Sequence, residues 1–291
     1  MTSLETKNCK IQYDAPIAPI TTFRIGGCAD AIAYPQNASA FGELIRELCK
    51  KGIKHTVLGN GSNVLFCGER YDGVIVVTRE LKNISVSGNT VTAECGASLT
   101  KTAAAAYEAG LCGLEFAYGI PGSIGGGTFM NAGAYGGCLS DVISKTVSFD
   151  ENGEKVELSE HGFSYRDSVF QHKKLYVASA SFELVPSDKA EIKAKMDDYM
   201  SRRKEKQPLD MPSAGSVFKR GNGFITSQVI DDCGLKGLSV GGAEVSTKHA
   251  GFIVNKGGAS SDDVLALIEK VKEKVFEMTG KTIECEVRLI K

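Results

Sequence analysis

The nine cysteines, at 9, 28, 49, 67, 95, 112, 138, 233 and 285, include no CxxC pair, and no two lie closer than seventeen residues. That spacing excludes the usual opening of a zinc site. The four histidines, His55, His161, His172 and His249, never stand at HxxxH or HxH spacing, so no metal is expected. An odd thiol count in a chain of 291 residues, long enough to fold without staples, reads as reduced, semi-buried cysteine. No apolar run approaches the ~18 residues of a membrane span. Basic and acidic residues balance at 34 to 35, which argues against a protein built to grip nucleic acid or acidic lipid. Residues 1–20 carry charges and two prolines but no apolar core of signal type. A soluble, cytoplasmic chain is expected, monomeric for want of a coiled coil or a long apolar edge.

Glycine is what the sequence has in excess, with 33 residues against an average share of ~7%. Ten of them fall between Gly110 and Gly137, interleaved with Phe116, Tyr118, Ile120, Phe129, Met130 and Tyr135. A glycine-dense stretch mixed with aromatics reads as backbone laid against a ligand, not as a linker.

Periodicity alternates helix and strand. Phe41, Leu44, Ile45 and Leu48 mark a helix closed by Gly52. A short strand at Thr56–Leu58 leads into the polar loop Gly59–Asn63, followed by strands over Gly73–Thr78 and Asn83–Ala93. Ser98 caps an alanine-rich helix from Leu99 to Ala109. Lys145–Phe149 and Lys155–Leu158 form a hairpin across Glu151-Asn152-Gly153, and Leu175–Leu184 alternates as a strand. A charged amphipathic helix spans Ser187–Lys206 with Ile192, Met196 and Tyr199 on one face, and a second spans Asp262–Met278 with Val264, Leu267, Ile268, Val271 and Val275 inward. Thr282–Ile290 reads as a closing strand. The class is α+β with mixed sheets and a boundary near 186–200.

Two phosphate motifs fail. Gly280-Lys281-Thr282 ends a helix instead of opening one, and Val275 stands where a P-loop needs glycine. Gly59-Asn60-Gly61-Ser62-Asn63-Val64 has valine in place of the third dinucleotide glycine, and a strand-like run follows. The same loop survives as an anion cradle, its glycines turning successive N–H groups to one point while Ser62 and Asn63 add donors; a plain turn between strands is the alternative. Gly119-Ile120-Pro121-Gly122-Ser123-Ile124-Gly125-Gly126-Gly127 and Asn131-Ala132-Gly133-Ala134-Tyr135-Gly136 lack the bulk that would keep a flat ring system off the main chain. Together the two elements suggest a large nucleotide cofactor held by backbone.

With these blocks stand Thr21-Thr22-Phe23-Arg24-Ile25-Gly26-Gly27, Glu115-Phe116-Ala117-Tyr118, Tyr165-Arg166-Asp167-Ser168, Pro212-Ser213-Ala214-Gly215-Ser216-Val217-Phe218-Lys219, Gly241-Gly242-Ala243-Glu244-Val245-Ser246 with His249 to Asn255, and Glu286-Val287-Arg288. In this order, from about residue 20 onward, the chain resembles the UDP-N-acetylenolpyruvoylglucosamine reductase family of peptidoglycan synthesis. The resemblance implies a vanillyl-alcohol-oxidase-type FAD domain of two subdomains, 1–80 and 81–190, and a C-terminal α+β substrate domain, 191–291. It implies FAD and NADPH as cofactors and a UDP-sugar as the small-molecule partner. The connection from Ser216 to Gly241 is short and contains no tyrosine, which resembles the shorter, second type of the family.

By motif position the resemblance assigns Gly59, Asn60, Gly61, Ser62 and Asn63 to the FAD pyrophosphate, and Pro121, Gly122, Ser123, Gly125, Gly126, Asn131, Gly133, Ala134 and Tyr135 to the flavin and adjoining phosphate. Arg166 would hold the substrate carboxylate, Ser216 would donate the proton, and Glu286 would act with Arg166 on the charged intermediate. Tyr165, Lys219 and Arg288 are substrate contacts of second rank, and His249 lines the nucleotide pocket or is structural. Read without the family, Ser216 is a turn serine, Arg166 pairs with Asp167, Glu284 and Glu286 share the exposed face of an edge strand, and Arg203 with Lys206 share a helix face. Two rivals remain at this level: another flavin oxidase or dehydrogenase, and a nucleotide-sugar-binding protein without turnover. Deleting the last eight residues is expected to abolish substrate reduction while FAD stays bound.

Overall fold

The computed structural model describes residues 7–291; the first six residues of the expected 1–80 subdomain lie outside the described residues. The chain forms two compact units. Unit 1 takes residues 7–13, Ala31–Asn60 and Gly73–Arg202, and unit 2 takes Asp14–Asp30, Gly61–Asp72 and Arg203–Lys291.

In unit 1, helix α1 (Ala38–Lys50) starts where the Asn37 side chain accepts the Ala40 N–H at 2.9 Å, and Gly52 follows its C-cap at φ +62°. Phe41, Leu44, Ile45 and Leu48 are fully buried against Val74, Val76 and Phe149, each worth about 1.5–3 kcal/mol of transfer free energy. The strand His55–Leu58 runs parallel to Val74–Val77 in that core. A second, antiparallel sheet orders Lys155–Leu158, Ile143–Phe149, Tyr176–Glu183, Thr90–Glu94 and Ile84–Ser87. The expected single strand Asn83–Ala93 is therefore two strands, with Ser87 opposite Thr90. Gly88 at φ +57° makes the two-residue turn, a break that alternating polarity hides.

Helix α2 (Leu99–Glu108) is capped by Ser98, whose side chain accepts the Lys101 N–H, and buries Leu99, Ala103 and Ala106 beside Val91 and Phe182. Helix α3 (Ile124–Phe129), capped by Ser123, lies inside the glycine-rich stretch, where no helix is expected from composition. Helix α4 (Lys189–Lys206) buries Ile192 and Met196, with Tyr199 packed beside that core. At its end Arg203 is buried while Lys206 is exposed, so the two do not share one solvated face.

Unit 2 holds an antiparallel sheet in the order Ser213–Ser216, Phe252–Asn255, Ala243–Val245, Ser239–Val240, with the short helix α5 (Thr226–Asp232). Helix α6 (Ser261–Thr279) opens on a Ser260/Asp263 capping box and closes on Gly280 at φ +68°. It buries Val264, Leu267, Ile268, Val271 and Val275 against Val217 and Ile253, and the early residues Phe23, Ile25 and Leu65 join the same core. The closing strand is shorter than its alternation suggests. Only Arg288–Ile290 pairs, in parallel, with Val64–Phe66. Residues 284–287 are held by single bridges instead, so Glu284 and Glu286 do not line one face of a continuous strand.

Candidate active site

Within unit 1 the two glycine motifs meet. The Asn60 side chain donates from Nδ2 to the Pro121 carbonyl at 3.1 Å. A Cβ on Gly59 would fall 1.9 Å from the Ser123 Oγ, so only glycine lets this strand end lie on the α3 cap. Leu99 N–H donates to Gly122 C=O, while Ile124 and Gly125 N–H donate to Ala97 and Cys95, fixing the whole turn on the preceding segment. Gly125 approaches Cys95 so closely that a Cβ would lie 2.9 Å from that residue's own Cβ, whereas one on Gly126 meets only the Ser123 Oγ at 3.5 Å. One glycine thus serves close packing and the next leaves an open face.

The second half of the motif is a two-residue hairpin, Gly133–Ala134 against Gly137–Cys138. Its corner residues Tyr135 and Gly136 both take positive φ, +54° and +90°, a turn that costs tyrosine about 1–2 kcal/mol. The Tyr135 ring stacks on Tyr199 with centroids 4.6 Å apart and planes 8° off parallel, a contact worth about 0.5–1.5 kcal/mol that offsets much of it. Asn131, at φ +43°, ties the hairpin to the Ser164–Asp167 turn: its Nδ2 donates to Ser164 C=O at 3.0 Å and its Oδ1 accepts Ser140 N–H at 3.0 Å.

That turn carries Arg166. Ser164 and Asp167 exchange backbone hydrogen bonds, and Arg166 between them sits at φ +58°. Non-glycine residues held there cost on the order of 1–3 kcal/mol and cluster at functional sites. Its guanidinium lies over the Tyr165 ring, Cζ 5.1 Å from the centroid, and reaches the Gly133 carbonyl at 3.4 Å. Asp167 pairs with the His172 imidazole at 2.9 Å. Tyr165 is half exposed.

Unit 2 carries the rest of the anion loop. Thr22 N–H donates to Gly61 C=O at 3.1 Å, and Arg288 N–H to Asn63 C=O at 3.1 Å. The Gly61 and Asn63 carbonyls are thus taken up by the protein. Among the described residues, the backbone N–H groups of Gly61, Ser62 and Asn63 donate to no acceptor within the chain. Carbonyls bound inward and N–H groups left over is the donor set an anionic pyrophosphate needs, so these residues fit FAD. A Cβ on Gly61, at φ +64°, would strike the Ile20 carbonyl at 2.5 Å.

Ser216 ends the strand Ser213–Ser216 opposite Phe252, just after a register shift that contains Gly215 at φ +75°. Its hydroxyl donates to Phe218 C=O at 3.2 Å. Glu286 N–H donates to Val217 C=O at 2.6 Å, so Ser216 and Glu286 are neighbours through Val217, although 70 residues apart in sequence. Both are half-buried. Lys219 forms a partly exposed pair with Glu284 at 3.2 Å. The structure thus gathers Asn131, Gly133, Tyr135, Tyr165 and Arg166 in unit 1, and Ser216, Lys219, Glu286 and Arg288 in unit 2.

Three supporting residues were not assigned from the sequence. Arg79 donates to the Asn60 carbonyl at 3.1 Å. Gln171 donates to the carbonyls of Arg166 and Phe129. Thr22 donates from Oγ1 to Ser213 C=O at 2.7 Å. Thr22 lies in a block quoted above, whereas Arg79 and Gln171 belong to no motif that could mark them.

Residues 29–159 match an FAD binding domain family and residues 207–290 match the UDP-N-acetylenolpyruvoylglucosamine reductase C-terminal domain. The chain is 46% identical over 272 residues to the UDP-N-acetylenolpyruvoylglucosamine reductase of Clostridium novyi, covering 93% of this chain and 89% of that one. It is 43% identical over 290 residues to that of Caldicellulosiruptor bescii, covering 98% and 92%. The crystal structure of the Thermus caldophilus enzyme superposes with a TM-score of 0.83 at 30% identity, over 97% of this chain and 99% of that one. Identity of this extent along nearly the whole chain, through both matched domains, means that the chain belongs to the UDP-N-acetylenolpyruvoylglucosamine reductase family.

Proposed function

We propose that this chain reduces the enolpyruvyl ether of UDP-N-acetylglucosamine enolpyruvate to UDP-N-acetylmuramate, with FAD bound and NADPH as reductant. The observation that carries this reading is the full-length likeness to the reductases together with the paired glycine loops of an FAD domain. Bound FAD, once reduced by NADPH, supplies the hydride. Residues 1–80 and 81–190 are the two FAD-binding subdomains and 191–291 the substrate domain; the family matches at 29–159 and 207–290 support the separation of an FAD-binding part from a C-terminal part. No described helix is long and apolar enough to cross a membrane; we assign the protein to the cytoplasm as a monomer.

The chain's residues then have the following work. Gly59 to Asn63 hold the pyrophosphate, and Pro121, Gly122, Ser123, Gly125, Gly126, Asn131, Gly133, Ala134 and Tyr135 seat the ring system and adjoining phosphate. Arg166 binds the substrate carboxylate through its planar fork. When hydride reaches the vinyl carbon, negative charge grows on the adjacent carbon and spreads into that carboxylate. A fixed guanidinium stabilises it most in the transition state. Glu286 shares this task as a hydrogen-bonding carboxyl. Ser216 delivers the proton to the carbanion; a serine hydroxyl is a weak acid, and only so basic a carbon can take its proton. Tyr165, Lys219 and Arg288 contact the substrate.

The test is anaerobic reduction of the purified flavoprotein with NADPH, then addition of UDP-N-acetylglucosamine enolpyruvate while flavin absorbance is followed. Bleaching and rapid return of the oxidised spectrum is the expected result. Bleaching that substrate cannot reverse would leave an FAD protein with some other acceptor.

A further inference from the structure

The turn Ser246–Phe252 is built around one imidazole. Ser246 N–H donates to Phe252 C=O at 2.8 Å and Phe252 N–H to His249 C=O at 3.0 Å. The buried Ser246 Oγ accepts the N–H groups of Lys248 and His249 at 3.1 and 3.4 Å. His249 folds back so that its Nδ1 accepts the Gly251 N–H at 3.1 Å. A backbone N–H can only donate, so this nitrogen is unprotonated and the ring proton sits on Nε2. Burial holds the ring below the ordinary histidine value, opposed by a hydrogen bond with its own backbone; Lys236 adds to the lowering and Asp231 opposes it. Phe252 stands edge-on to the ring at 4.9 Å. A Cβ on Gly251 would lie 3.1 Å from His249 Cε1 and 3.1 Å from Ser227 Cβ, so glycine is what lets the imidazole lie on the backbone here.

Gly251 has a second set of partners. Its carbonyl accepts Val217 N–H at 2.8 Å and lies 3.5 Å from the Ser216 Oγ. Val217 in turn accepts Glu286 N–H. His249, Gly251, Ser216–Val217 and Glu286 therefore form one continuous hydrogen-bonded line within unit 2. We propose that His249 is the positioning residue of the proton-delivery step, its neutral Nδ1 fixing Gly251 so that the Gly251 carbonyl holds the Ser216–Val217 backbone and aims the serine hydroxyl. This inference rests on the assignment of the proton to Ser216. The imidazole itself does not exchange a proton with substrate; it sets where the hydroxyl points, because the hydroxyl sits between Phe218 C=O at 3.2 Å and Gly251 C=O at 3.5 Å, and a loosened Gly251 leaves it held by Phe218 C=O alone.

The two ring nitrogens can be separated by substitution. In His249→Asn the amide oxygen stands near the place of Nδ1 and can accept Gly251 N–H, whereas in His249→Gln the amide reaches the place of Nε2. The reductive half-reaction with NADPH and the oxidative half-reaction with UDP-N-acetylglucosamine enolpyruvate are timed separately by stopped flow on the flavoprotein, with hydrogen exchange of the Gly251 amide measured in parallel and Ser216→Ala as reference. Expected is reoxidation in His249→Gln slowed ~10-fold or more, a fraction of the 10²–10⁴ that a positioned acid contributes. Flavin reduction stays near the parent rate, Gly251 exchange quickens, and His249→Asn recovers both reoxidation and protection. Equal rates in the two variants, or slowing in Asn with recovery in Gln, overturns the proposal while slow reoxidation in Ser216→Ala leaves the proton assignment standing. Normal reoxidation in Ser216→Ala removes both.

Discussion

Gln171 donates from Nε2 to the Arg166 carbonyl at 2.8 Å and to the Phe129 carbonyl at 3.0 Å, clamping the left-handed residue of the Ser164–Asp167 turn to the end of α3. Arg166 takes an unfavourable φ for its side chain, and a carbonyl anchored from outside the turn opposes relaxation to an ordinary one.

Replacing Gln171 by Met keeps its length and removes both donors. Two lost hydrogen bonds of about 1 kcal/mol each should lower stability by about 2 kcal/mol, read as a fall in the urea midpoint. Reoxidation of reduced flavin by substrate should slow ~10-fold through misplacement of Arg166, with the rate of reduction by NADPH retained. An unchanged reoxidation rate would show that Arg166 needs no such clamp.

Gly59→Ala tests the junction of the two cofactor loops. The added methyl would meet the Ser123 Oγ at 1.9 Å, forcing the Gly59–Asn60 backbone away from the α3 cap. Purified protein should lose FAD on gel filtration, with affinity reduced on the order of 10-fold or more, a cost of at least about 1.4 kcal/mol. Full flavin content in the variant would separate this contact from cofactor binding.

The eight-residue truncation suggested by the sequence now has a different expected outcome. Arg288–Ile290 pairs with Val64–Phe66, directly after the anion loop, and Arg288 N–H holds Asn63 C=O. Removing 284–291 should therefore release FAD as well as abolish turnover. Glu286→Gln is the sharper variant: it keeps the strand, and flavin content should be normal while reoxidation by substrate falls ~10²-fold or more, as expected for loss of transition-state charge stabilisation. Paired measurements of flavin absorbance and turnover on both variants decide between a structural and a chemical role for the terminal segment.

His161 makes a pH prediction. It is buried, its Nε2 lies 3.0 Å from the Thr146 Oγ1, and burial lowers its pKa from the ordinary 6.5. With the folded value below the unfolded one, the unfolded chain binds more protons as pH falls. The stability tied to neutral His161 is present above about pH 6.5 and is lost as the pH drops through the lowered folded value. The thermal midpoint should fall on acidification from about pH 7.5 to about 5.5, and His161→Gln should flatten that part of the fall. An identical slope in the variant would assign the acid sensitivity to other groups.

Much of this was legible because it is local. Ser98 announces its helix by capping chemistry, and Gly52 and Gly280 end theirs in the left-handed region. The glycine loops could be read as backbone surfaces for the same reason. Helix α3 was hidden, since three successive glycines argue against a helix; the Ser123 cap and the hydrogen bonds to Cys95 and Ala97 override that propensity. The clamps on Asn60 and Arg166, made by Arg79 and Gln171, depend on contacts that no spacing rule reports. His249 could be noticed but not given a task, because which nitrogen accepts is visible only in the folded turn.

Unit 2 recruits Phe23, Ile25 and Leu65 into a core otherwise made of residues beyond 203. The change of composition near residue 190 is thus a poor place to cut. A fragment ending there would carry three apolar side chains whose partners are missing, and the complementary fragment would keep a core with holes where they belong. During synthesis the same early segments must wait for more than a hundred further residues before their partners exist, so the core of unit 2 can close only after nearly the whole chain has been made.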